Sequence, residues 1–154
     1  ALQIDMAALR KVTEHPELGV RITQVPASMT GLRRLLDRYR KKAKPLKWIH
    51  YSGHAGPDGL VFNDGIASAR WLSEHLRGVE ILVINGCESD AVGDWIGVVP
   101  TVISMRDKIE HEDAANFCQV FWQGVVEGLS GEDAFDQALL RCPPNVAEFA
   151  ELHV

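Results

Sequence analysis

Residues 48–56, Trp48-Ile49-His50-Tyr51-Ser52-Gly53-His54-Ala55-Gly56, decide how the rest of the chain is read. A short apolar strand runs into a loop punctuated by glycine, and His54 is the first polar group past the strand end. Residues 79–89 (VEILVINGCES) repeat the design, with a buried-type strand that ends at Cys87. A His and a Cys at the C-terminal ends of adjacent strands suggest a thiol nucleophile with its base. A thiol of ordinary pKa, about 8.5, is mostly protonated near neutrality, so a nucleophilic Cys87 needs a nearby base or positive field. His54 fits that role and could later protonate the leaving amine. Gly53 and Gly86 suit sharp turns that expose a side chain and let a substrate backbone approach. The backbone N–H groups of Ala55 and Cys87 are candidates for an oxyanion hole. The plain alternative for Cys87 is a small buried hydrophobe, and the strand–Gly–His context favours the nucleophile over it.

At 154 residues the chain is of single-domain length and can bury a sizeable core. Its composition, 46% hydrophobic and 24% charged, is that of a soluble globular protein. The net charge of −5 argues against direct nucleic-acid binding. No apolar run approaches the roughly 18 residues of a membrane span. Cys87, Cys118 and Cys142 sit in unlike contexts with no CxxC pair, which fits a reducing, cytoplasmic setting rather than a disulfide framework.

Helical spacing is expected over 1–15 with Asp5 as N-cap, and a β-rich stretch over 19–25. Ser28 or Thr30 caps a second helix. Its apolar stripe is Met29, Leu32, Leu35, Leu36 and Tyr39, and its other side carries Arg33, Arg34, Arg38, Arg40, Lys41 and Lys42. That basic side either meets phosphate or an acidic partner or is a solvated face. Strands are expected over 46–51, 79–84 and 100–105, helices over 66–76 and 107–126 and from Ser130 onward, and a final edge strand over 146–154. Residues 90–96 form a short helix or turn. Pro57-Asp58-Gly59 and Asn63-Asp64-Gly65 are turn signatures around a small β-excursion at 60–62. Strands alternating with helices predict an α/β fold with a mainly parallel sheet, in which function collects at the C-terminal strand ends.

The remaining candidates are weighed the same way. His50 shares a strand-and-loop spacing with His54 and lacks a His-Glu-x-x-His pattern, so it reads as a core or supporting histidine, not a metal ligand. No metal and no cofactor are expected. His111 belongs to a solvated helix start, Cys118 to an apolar helical stripe and Cys142 to a loop before Pro143-Pro144. Trp95 is placed beside a substrate pocket. Asn85, Glu88, Asp90, Asp94 and Asp107 lie near strand ends and raise the expectation of an acidic pocket that selects Arg or Lys.

At these residues the chain resembles a known family. IHYSGHAG, followed 33 positions after His54 by the Cys of VINGCES, is similar to the His-Gly-His and Ser-Ala-Cys blocks of CHAT domains. These are bacterial caspase-like domains of the caspase–separase–gingipain peptidase clan. The similarity continues through VVPTVISMRDKIEHEDAANFCQVFWQGVVEGLSGEDAFDQAL. The resemblance implies a caspase-like three-layer α/β/α sandwich spanning 1–154 and a cysteine endopeptidase with His54 as base and Cys87 as nucleophile. It implies a protein or peptide substrate, and regulatory domains or partner proteins outside this chain. Ala55 stands where the family usually has Gly, Gly86 where Ala is common, and Ser104 where Gly precedes Met105. The first central strand of the family is missing before residue 1, so the chain is expected to be a fragment of a longer multidomain effector. An inactive scaffold of the same fold is the alternative, and the intact His/Cys pair argues against it.

Overall fold

The computed structural model describes residues 9–10, 12, 23, 25, 27–44, 46–86, 88–93, 96–106 and 111–154. The expected helix over 1–15 and β-rich stretch over 19–25 lie largely outside them. Leu9, Arg10 and Val12 are helical, and Thr23 and Val25 are not in a strand.

Two sheets organise the chain. Strands β1 (Trp48–Ser52), β5 (Ile81–Asn85), β6 (Thr101–Met105) and β7 (Ala150–His153) form a four-stranded sheet in that order. β1, β5 and β6 are parallel, and β7 pairs antiparallel with β6. Strands β2 (Ala55–Gly56), β3 (Gly59–Phe62) and β4 (Gly65–Ala67) form a small antiparallel sheet between β1 and β5 in sequence. Both of its connections are two-residue turns, at the two places where Gly, Pro, Asn and Asp cluster.

The continuous apolar run of β5 is explained by cover on both faces of the main sheet. Ile81 and Val83 face a core shared with α4 (His111–Val126) and α5 (Gly131–Arg141), including Phe117, Phe121 and Phe135. Leu82 and Ile84 face a second core shared with α1 (Met29–Lys41) and α2 (Ala69–His75), including Leu32, Leu36 and Leu72. This mixed α/β arrangement with a mainly parallel sheet is compatible with a layered sandwich.

The helix ends follow capping chemistry. Ser28 is the N-cap of α1, accepting from Gly31 N at 3.1 Å, whereas Thr30 lies inside the first turn. Ser130 caps α5 as expected, accepting from Asp133 N at 3.1 Å. Arg40, on the basic side of α1, donates to the carbonyls of His75 and Arg77 at 2.6 and 3.0 Å, so this cation holds the end of α2.

Two expectations are corrected. Ile66 is not the first apolar position of a helix; it lies in β4 and is exposed. The Asn63-Asp64 turn folds 65–67 back on β3, and the Ser68 hydroxyl, accepting from Trp71 N at 3.1 Å, starts the helix only at Ala69. At the C-terminus the edge strand begins at Ala150, because Val146–Phe149 form a helical turn, α6.

Candidate active site

β1 and β5 run in parallel with Ser52 opposite Asn85, so both strands leave the main sheet at the same end. The pairing continues one residue further, where Gly53 N donates to Asn85 O at 3.3 Å. His54 follows, exposed, and the chain turns directly into the small sheet.

The two loops pack on each other through glycine. A Cβ on Gly86 would stand 2.6 Å from Gly53 O and 3.1 Å from Ala55 Cβ, a separation that no larger residue reproduces without moving backbone. A Cβ on Gly53 would meet the Tyr51 hydroxyl at 2.7 Å. Hence Gly53 and Gly86 are required where the His loop and the loop after β5 touch. α3 (Asp90–Gly93), just beyond that loop, packs against both β2 and β6 and closes the same corner.

Tyr51 fixes the position of the His loop. Its hydroxyl lies 2.7 Å from both the His54 and the Val61 carbonyl oxygens, which share its one proton, and burial pushes its pKa up to about 12. Val61 N in turn donates to His54 O at 3.0 Å, which makes 54 and 61 a hydrogen-bonded pair. Antiparallel alternation then makes Ala55 and Leu60 the next, non-hydrogen-bonded pair, whose N–H groups point away from each other. Ala55 N–H is therefore directed off the small sheet, on the side where Gly86 packs. Ala55 does not need the conformational freedom of glycine. Among the described residues only Ala43 and Glu88 combine a side chain with positive φ.

Asp64 anchors the far end of the excursion. Its carboxylate accepts from Met29 N at 2.8 Å and from Thr30 N at 3.1 Å, and also from the Ser28 and Thr30 hydroxyls. These donors at the start of α1, the backbone N–H of Met29 foremost, hold its pKa down to about 2. Asn63 N adds a bond to Ala27 O at 2.7 Å.

On the other loop, Glu88 is held at φ 58°, a left-handed conformation unusual for a glutamate. The next residue supplies the restraint. Ser89 is fully buried, its N–H donates to Met105 O at 2.8 Å, and its hydroxyl accepts from Met105 N at 2.9 Å and donates to Ile84 O at 3.3 Å. Three bonds thus tie the chain after β5 to the ends of β5 and β6. A residue in a sparsely populated conformation thus sits beside a buried hydroxyl whose hydrogen bonds are fully made.

Of the site residues expected from sequence, His54, Gly53, Ala55, Gly86, Asn85, Glu88 and Asp90 are described, and they gather at this one corner. Asn85 and Asp90 are half-buried and Glu88 is exposed. Cys87, Trp95, Asp94 and Asp107 lie outside the described residues. His50 belongs elsewhere. Its Nδ1 accepts from Trp122 Nε1 at 3.1 Å beneath the opposite face of β1, consistent with a supporting core histidine. Cys118 is buried among the apolar residues of α4. Burial, then the Asp113 carboxylate, raises the Cys142 pKa, which makes this thiol a poorer nucleophile. Ser104 is buried and sits 2.6 Å from His153 Nε2, a tie between β6 and β7.

Sequence reasoning missed Tyr51, Asp64 and Ser89. Tyr51 alone carried a signal, since strand alternation sets it on the face opposite to His50. Among the described residues, no group of three or more His, Cys, Asp or Glu side chains could hold a metal ion, and no helix is long and apolar enough to cross a membrane. No protein-family model matches the chain, and no curated protein is significantly similar to it.

Proposed function

We propose that this chain is a cysteine endopeptidase domain with a caspase-like three-layer sandwich of the CHAT type, and that His54 and Cys87 form its dyad. The observation that carries the reading is the contact of Gly86 with Gly53 and Ala55, which brings the two loops together beyond neighbouring parallel strands. Strand ends of this kind are where α/β sheets bind ligands.

In this mechanism His54 takes the proton of the Cys87 thiol, and the thiolate attacks the scissile carbonyl carbon. The carbonyl π electrons move to oxygen, and the N–H groups of Ala55 and Cys87 stabilise that oxyanion. As the carbonyl re-forms, the C–N bond breaks and the amine leaves with the proton held by His54. Water then loses a proton to His54 and attacks the thioester. A second tetrahedral intermediate expels the thiolate, which regains the proton, and the carboxylic product leaves.

The test is cleavage of candidate polypeptides by the full chain, with Cys87→Ala and His54→Ala variants checked for folding by circular dichroism. Both variants are expected to lose activity by about 10³-fold or more. Variants that cleave as well as wild type would overturn the mechanism.

A further inference from the structure

The small sheet has an unusual outer face. Its inner positions, Leu60 at 1% exposure and Ala67 at 0%, complete the core under α1 and α2. Its outer positions are Val61 at 45% and Ile66 at 53%, and these two are direct cross-strand partners. Among the described residues, the other exposed large hydrophobics (Val25, Leu129, Leu140 and Val154) have no such partner in a sheet. Exposed aliphatic residues are ordinary when scattered; a contiguous pair beside a reactive centre is not.

The row does not stop at Val61. Because Val61 N bonds to His54 O, His54 occupies the next cross-strand position on β2's side. His54 is exposed and has the parity opposite to the inward Ala55, so it shares the outer face. His54, Val61 and Ile66 therefore form one line across the sheet. With strands about 4.8 Å apart, Ile66 lies roughly 10 Å from the histidine, the span of three residues of extended peptide.

The platform is rigid where it needs to be. Tyr51 holds Val61 O, Asp64 binds the start of α1, and a Cβ on Gly59 would collide with Ala67 O. A surface fixed from behind loses little freedom on binding.

From this we infer that Val61 and Ile66 form an apolar subsite that continues from His54 and receives an aliphatic side chain within about three residues of the scissile bond. This rests on the peptidase reading, since it takes His54 as the reacting end of the row. The occupant is a polypeptide substrate in extended form, and the subsite sets part of its sequence preference.

Val61→Thr and Ile66→Thr keep β-branched residues in the strands while making the face polar. The probe is a peptide array, varied at each position, incubated with the otherwise inactive Cys87→Ala chain with and without the two threonine substitutions. The expected result is retention of peptides carrying Leu, Ile or Val at one position, and about tenfold or greater weakening of those peptides alone in the threonine variant. An array without aliphatic preference, a preference that survives both substitutions, or no retention at all overturns the subsite. A parallel digest with wild type tests the underlying reading separately. Aliphatic-selective binding without Cys87-dependent cleavage would leave the subsite standing and remove the peptidase.

Discussion

The four-stranded and three-stranded sheets use the same apolar and β-branched residues but are stabilised in different ways. β5 offers alternate residues to two cores, so each of its positions from Ile81 to Ile84 is buried. The small sheet has one core and one open face, and it is located by particular groups: the Tyr51 hydroxyl, the Asp64 carboxylate and Gly59. Packing spread over many side chains tolerates the loss of any one hydrogen bond. A one-sided hairpin pair does not have that reserve, because isolated hairpins are marginal in water. The difference teaches where stability and presentation are separated in this molecule: the main sheet carries the fold, and the small one sets the surroundings of His54.

Substitutions in each region should divide along that line, and the largest effect belongs to the main core. Phe121 is fully buried against the α4 side of the sheet. Phe121→Ala should cost about 3–5 kcal/mol in urea unfolding. A loss below about 1 kcal/mol would mean that this face is not packed as described.

Gly86→Ala is next. Its Cβ meets a backbone oxygen on the His loop, so the loops must separate. Displacements near an ångström at a reacting centre cost on the order of 100-fold, about 2.7 kcal/mol of barrier. Under the proposed mechanism peptide hydrolysis should fall by that factor, and unchanged turnover would show that the two loops need no close approach. Tyr51→Phe should be milder, about 1–2 kcal/mol, because the Val61 carbonyl loses the hydroxyl while the His54 carbonyl keeps the Val61 N–H. Hydrogen exchange should speed up at Val61 N–H while the amides of β5 keep their protection. Equal loosening of both sheets would break the comparison.

Asp64 gives the smallest and most conditional effect. Its pKa is lowered from 3.8 to about 2 in the folded protein, so its contribution is present above 3.8 and is lost as pH falls through about 2. Thermal unfolding of wild type across that acid range should therefore weaken more than that of Asp64→Asn. Parallel curves for the two proteins would show that the carboxylate contributes nothing through the start of α1.

Much of this architecture can be read before any coordinates, for identifiable reasons. The strands over 46–51, 79–84 and 100–105 stand out because short stretches rich in β-branched, aromatic and apolar residues follow Pro or Gly breaks. Pro57-Asp58-Gly59 and Asn63-Asp64-Gly65 mark both hairpins because their backbone geometry restricts residue choice. The His54 and Gly86 loops meet because their strands are neighbours, which the βα alternation already implies. Ile66 misled the reading because a β-branched residue three positions before Ala69 fits a helical period. Only the Ser68 cap and the tight turn reveal that the period starts later. The bonds of Tyr51, Asp64 and Ser89 join residues from 3 to 36 positions apart, and local pattern sets the face of Tyr51 but encodes none of these partners.

The left-handed Glu88 has a consequence for which sequences this loop can accept. Its φ of 58° stands next to the Ser89 bonds to Ile84 and Met105, and glutamate has no preference of its own for that conformation. Position 88 should therefore discriminate by backbone shape and ignore charge. Gly, Asn and Asp would fit it readily, whereas Val, Ile and Thr would be refused because their branched Cβ resists positive φ. In a random library at this position, survivors should sort by the geometry of Cβ, and the acidic group of Glu88 should prove dispensable to the fold.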